Sequence, residues 1–208
     1  GELIGLLHDL GKYSNEFQAY LKSAVGLINQ DEDEFVDARG LKGKVDHSTA
    51  GAQLVWEELF KQGQIGQVVG QVLSLCIASH HSGLIDCLSS DTGCPIEDNF
   101  TRRINKSDSK THMQEVMMKM DVSIAKRFRE LVDNQALIAS IKHSIQQLAL
   151  RDGGTDQSQI VRFKIGLLVR FLFSCLIDAD RTNTADFERP KAAENRFNGR
   201  YIPWDVLI

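Results

Sequence analysis

The sequence predicts an all-α domain, a helical bundle, and three observations carry that prediction. Only three prolines occur in 208 residues. No stretch alternates apolar and polar residues as a half-buried strand does. Apolar residues recur three and four apart instead, which lines one face of a helix. The length suffices to bury a core.

The elements follow in order. Leu3, Leu6, Leu7 and Leu10 predict a short first helix ending near Gly11, a natural residue just past a helix end. Ser14 is the expected N-cap of a second helix carrying Phe17, Tyr20 and Leu21. "INQDEDEFVDARGLKGK" is charged and glycine-containing, and predicts a solvated loop. "HSTAGAQLVWEELFKQG" predicts a third helix and "IGQVVGQVLSLCIASHH" a fourth. "SGLIDCLSSDTGCP" predicts a loop. A polar helical region is expected from about Ile96 to Val132, with Phe128 and Leu131 facing inward. "QALIASIKHSIQQLALRD" predicts an amphipathic helix that "DGGTD" breaks. A long core helix is expected from about Gln157 to Asp180. From residue 185 on, helix breakers predict a tail or linker. No internal repeat occurs.

Composition excludes some classes. The net charge of −4 is not the footprint of a domain that grips nucleic acid over its whole surface. Any such grip is local or supplied by a partner. Two basic stretches are the candidates: Arg102, Arg103, Lys106 and Lys110, then Lys126, Arg127 and Arg129. For each the favoured reading is a solvated helix face. The most apolar run is interrupted by Arg170 and ends in acids, so a membrane span is not expected. No signal peptide opens the chain. Cys76 and Cys175 sit in apolar helical runs, where a buried thiol is the expectation. Cys87 and Cys94 flank a loop and are expected to be free thiols in a reducing cytoplasm.

The polar residues at the ends of the apolar segments share a chemistry. His8-Asp9 closes the first helix, and Asp46-His47-Ser48 opens the third. His80-His81 closes the fourth, and Asp178 and Asp180 close the long one. Each has a plain explanation alone. A histidine suits a helix C-terminus, and Asp46 or Ser48 caps a helix. Together they are the ligand types of borderline divalent metals, each at a helix end from which it can be aimed into one cleft. Four of the six histidines lie in these clusters.

The order of these residues resembles that of the HD superfamily of metal-dependent phosphohydrolases. The wording "GLLHDLGKYSNEFQAYL", "VDHSTAGAQL", "ASHHSGL" and "FLFSCLIDADRTNT" narrows it. It resembles the HD nuclease domain of the CRISPR-associated nuclease–helicase of type I interference systems, from the start to about Thr184. The resemblance implies an HD-domain helical bundle, over residues 1–184, with a metal site between helix ends. Residues 185–208 are then a linker toward a helicase.

Carried onto this chain, the resemblance makes His8 and Asp9 the HD pair, with Asp9 as a bridging carboxylate. His47 is the lone histidine, His80 and His81 the double histidine, and Asp180 the closing aspartate. Asp178 is a second choice, since two residues along a helix turn a side chain nearly away. Lys12 matches the lysine of H-D-x-G-K. It either meets a phosphate oxygen or simply sits near the last carbonyls of a helix. Ser48 either orients a ligand or caps. His112 and His143 are expected on the surface or in structural roles.

The resemblance further implies a metal-dependent nuclease that cleaves single-stranded DNA in antiviral defence. Hydroxide would attack the phosphodiester at two ions roughly 3.5–4 Å apart. His8, Asp9 and Asp180 would hold one ion, and Asp9, His47, His80 and His81 the other. Mixed imidazole and carboxylate ligation suits Mn, Fe, Co or Ni better than Mg. The family also has a histidine on an earlier helix. His8 is the first histidine here, so a truncated domain and a weakly held first ion are expected. No P-loop occurs, so ATP use would belong to a superfamily 2 helicase domain. A guide-RNA surveillance complex is the other implied partner. The competing readings are an HD phosphohydrolase acting on nucleotides and a metal-free docking module.

Overall fold

A computed structural model describes residues 1–27, 45–89, 97–150 and 157–194. The expected all-α architecture is what forms. Helix α1 (Glu2–Leu7) leads through a two-residue turn into a 3₁₀ segment, Leu10–Tyr13, and then α2 (Asn15–Ala24). The central pair is α3 (Thr49–Phe60) and α4 (Gly63–Ser79), joined by two residues and packed along their lengths. Short helices α5 (Asn99–Ile104), α6 (Asp108–Thr111) and α7 (Met113–Lys119) follow, then α8 (Val122–Val132), α9 (Gln135–Leu150), α10 (Gln157–Glu188) and α11 (Pro190–Ala193).

Leu7, Ala52, Val55, Cys76 and Ile77 at the centre of the core are sealed from solvent. Full burial of Leu7, Val55 and Ile77 contributes roughly 1.5–3 kcal/mol each. Ser74 donates from Oγ to the Ala52 carbonyl at 2.8 Å, which satisfies a buried hydroxyl between α3 and α4. Gly51 lets α1 rest on α3. A Cβ there would lie 2.0 Å from the Leu7 carbonyl oxygen.

Several local expectations are corrected. The first helix stops at Leu7, and Gly11 lies inside the 3₁₀ segment. Where one polar run was expected from about Ile96 to Val132, the described residues, 97–132, hold four helices. Asp98 accepts from the Thr101 amide and Asp121 from the Ser123 amide, so each starts a new helix. His112, at φ 51°, turns the chain between α6 and α7. A two-residue antiparallel ribbon pairs Leu88 with Asp98 and Ser89 with Glu97, where a loop was expected. The long helix runs eight residues past Asp180, to Glu188. It is only half a core helix: Val169 and Leu176 are buried, while Phe163 and Phe171 are exposed. Cys175 is exposed rather than buried.

Other expectations hold. Ser14 caps α2 by accepting from the Phe17 amide. Cys76 is buried, and that burial pushes its thiol up to about 11. Cys87 is free, while Cys94, the whole charged loop, the "DGGTD" break and the tail beyond 194 lie outside the described residues. Among the described residues no helix is long and apolar enough to cross a membrane.

Candidate metal centre

The site forms where α1 and α4 end, where the chain enters α3, and where α10 passes. The burial of Leu7 and Leu10 on either side turns His8 and Asp9 out of the core together. Gly11 then fastens this turn to the segment before α3. Its amide donates to the His47 carbonyl at 2.9 Å. A Cβ on Gly11 would stand 2.4 Å from that oxygen, so only glycine permits the approach. Gly11 thus serves a contact 36 residues away, not the helix end the local pattern suggests.

Three histidines are oriented by one device. His8 lies 2.8 Å from the Gly5 carbonyl through Nδ1, His80 2.7 Å from Ile77, and His47 3.1 Å from Val45. A carbonyl only accepts, so each Nδ1 carries the proton and donates. In the neutral ring each Nε2 then carries the lone pair, which is the tautomer a metal ligand needs. For His8 and His80 the accepting carbonyls are three residues back in the last helical turn. These are groups a helix end leaves short of partners.

The Nε2 atoms of these three histidines and of His81 converge on Asp9. Its Oδ1 lies 3.5 Å from His80 Nε2, 3.7 Å from His47 Nε2 and 3.9 Å from His81 Nε2. Its Oδ2 lies 3.2 Å from His8 Nε2 and 2.6 Å from Lys12 Nζ. Asp180 approaches from α10, with Oδ1 3.7 Å from His8 Nε2. Two donor sets result, Asp9–His47–His80–His81 and His8–Asp9–Asp180, each with its ligand atoms within 4.8 Å of one another. All six residues expected as ligands are therefore brought together, and Asp9 belongs to both sets.

Burial opposes ionisation of Asp9. The imidazoles of His8, His80 and His81 and the Lys12 ammonium outweigh it and hold the carboxyl well below the usual range. Burial pushes His47 down to about 4, so it is neutral with a lone pair to give at neutral pH. His8 loses basicity to burial but is raised overall by Asp9, the Gly5 carbonyl and Asp180.

Asp9 Oδ1 and His80 Nε2 are both buried and have no hydrogen-bond partner. Orphaned polar atoms of this kind are costly unless something completes them. The Nε2 atoms of His47 and His81 face each other at 2.5 Å, an arrangement that needs a proton or a cation between them. A divalent cation would complete all of these atoms, and the donor types suit it. The residues present fit such an ion.

The remaining candidates separate. Lys12 is paired with Asp9 rather than lying on helix-end carbonyls. Asp46, not Ser48, caps α3: its carboxylate accepts from the Thr49 amide at 3.1 Å and from Thr49 Oγ1 at 2.7 Å. Ser48 is buried and accepts from Arg103 at 2.9 Å. Asp178 is exposed and belongs to neither set. His112 pairs with Glu16 at 2.7 Å, and His143 is exposed on α9. Phe17, whose ring packs on His47 with centroids 4.7 Å apart, is a supporting residue that no motif marked.

A family model described as "Cas3, HD domain" matches residues 2–153. The matched span holds the HD pair, His47 and the double histidine, and ends before the helix that carries Asp180. No curated protein and no solved structure matches the chain. The match extends over well more than half of the chain, and the chain belongs to the Cas3 HD-domain family of CRISPR-associated nucleases.

Proposed function

We propose that this domain hydrolyses the phosphodiester backbone of single-stranded DNA, using divalent transition metal held by the six converging residues. The observation that carries the reading is the convergence on Asp9, with its buried Oδ1 and the buried His80 Nε2 left without partners. His8, Asp9 and Asp180 would hold one ion, and Asp9, His47, His80 and His81 a second. Mn, Fe, Co and Ni are the metals the mixed donor types favour.

Bound ions of this kind supply hydroxide at neutral pH and neutralise charge building on phosphorus. The chain does the positioning. The Gly5, Ile77 and Val45 carbonyls hold three imidazoles in one tautomer. Lys12 helps to keep Asp9 ionised. It also lines the open groove beside His47, within reach of a phosphate oxygen placed there. Residues 1–184 form the nuclease domain in this reading, and residues 185–208 lead toward a superfamily 2 helicase. The helicase and a guide-RNA surveillance complex would deliver the strand, in the cytoplasm.

The test is incubation of circular single-stranded DNA with the protein and Mn²⁺ or Ni²⁺. Cleavage is expected, and Asp9→Ala is expected to lose it while keeping its helical circular dichroism. Intact DNA beside hydrolysed mononucleotides would replace this reading with a nucleotide phosphohydrolase.

A further inference from the structure

One open pocket adjoins the candidate metal centre and a second continues from it, the two sharing Ser82, Arg103 and Lys106. One, of about 460 Å³, reaches the centre itself through His47 and His81 and is lined by Lys12, Phe17 and Tyr20. The other, of about 540 Å³, leads away past Asn99 and Arg102. Their charged lining is Lys12, Arg102, Arg103 and Lys106 against Asp46 and Asp86. Four cations face two carboxylates there, in a chain whose net charge is −4. The acidic molecule therefore turns a locally positive channel toward its candidate centre.

The channel is built, not incidental. Buried Gln53 on α3 donates to the Ile104 carbonyl at 2.7 Å and the Lys106 carbonyl at 2.8 Å, which fixes the end of α5 against α3. Arg103 reaches Ser48 Oγ at 2.9 Å, and Lys106 reaches Asp46 Oδ2 at 2.5 Å. Asp46 is held ionised: burial opposes this, but Lys106, Thr49 and Arg103 prevail. One carboxylate thus anchors two cations, and both still line the channel. The other basic stretch differs. Arg127 pairs with Glu2 and Glu130, and Arg129 with Glu58, on the outside of α8.

Cations spaced along a channel suit successive phosphates of one strand, and the half-buried Tyr20 offers a face on which a base can stack. We infer that Arg102, Arg103 and Lys106 form a backbone track that holds the phosphates next to the scissile one, making the site select strands over mononucleotides. The inference rests on the nuclease reading above and names the residues that give it strand preference.

The test separates the two. Binding of a fluorescein-labelled oligodeoxythymidylate of about 12 nucleotides is followed by anisotropy in EDTA, across a salt series. Arg102→Ala/Lys106→Ala should weaken binding roughly tenfold at low salt. It should flatten the slope of log K against log salt by about 1.4, at about 0.7 per phosphate contact. Arg102→Ala alone, which gives up a surface bond to Asn99, should flatten it by about half as much. Arg102→Lys/Lys106→Arg should restore the slope, and Lys126→Ala should not change it. With Mn²⁺, the double alanine variant should lose several-fold more activity on the oligonucleotide than on bis(p-nitrophenyl) phosphate.

An unchanged slope in the alanine variants overturns the track, as does an equal loss on both substrates. Salt-sensitive binding that these residues control, without cleavage by the unaltered chain, sinks the nuclease reading and leaves the track standing.

Discussion

The two donor sets share Asp9 and differ in how they are supported. His47, His80 and His81 come from the ends of α3 and α4, the most closely packed pair in the fold, and the His80 side chain is fully enclosed. His8 and Asp180 are each partly exposed, as is His81 in the first set, but Asp180 also depends on α10, a helix with several of its large apolar side chains in solvent. The contrast teaches that ligand number and scaffold rigidity go together here. The set with three imidazoles should bind first and more tightly, and the carboxylate-rich set second.

The strongest challenge to this picture is Asp9→Asn. It should remove metal binding from both sets and lower Mn²⁺-dependent cleavage by about 10³-fold or more, as measured by calorimetry and by DNA degradation. One ion binding with unaltered affinity would show that the sets do not share this residue. Next, His80→Ala and Asp180→Asn are compared through the rise in melting temperature that Mn²⁺ produces. His80→Ala should weaken binding by roughly 10–100-fold and lose most of the rise. Asp180→Asn should keep the larger part. Equal losses would break the ranking.

Smaller effects probe the support beneath the ligands. Gly11→Ala should destabilise the fold by about 1–3 kcal/mol in urea, because the new methyl meets the His47 carbonyl. Gly5→Ala, which points into open space on α1, should be neutral or stabilising by up to about 1 kcal/mol. Similar losses for both glycines would deny the turn its special contact. Smallest of all, Asp178→Asn should leave metal affinity and cleavage within about twofold, since this exposed residue is in neither set.

Much of the centre was legible in the sequence because its ligands are local pairs at the ends of apolar runs. His8-Asp9 and His80-His81 declare themselves by chemistry and by position. What was not legible depends on contacts across long stretches of chain. Gly11 looks like a helix stop, yet it serves His47. Arg103 and Lys106 look like a solvated face until Asp46, some sixty residues earlier, is found beside them. Asp98 and Asp121 are the signals that could have divided residues 97–132, which periodicity alone reads as one region. The left-handed turn at His112 carried only a weak local signal: histidine is enriched in that region, yet few non-glycine residues adopt it. Exposure of Cys175 likewise depends on which face of α10 finds a neighbour, and apolar periodicity alone does not say.

The carbonyl anchors of His8 and His80 tie the ligands to the fraying of two helices. The last turn of a helix ordinarily opens and closes on its own. Here, opening the final turn of α1 or α4 would release the Gly5 or Ile77 carbonyl and let the imidazole rotate. Loss of a ligand and unwinding of a helix end become one event. An ion that holds Nε2 would therefore quiet both helix termini, and amide hydrogen exchange at His8 and His80 would slow as the ion is added. These backbone amides are then reporters of occupancy that need no substrate and no cleavage.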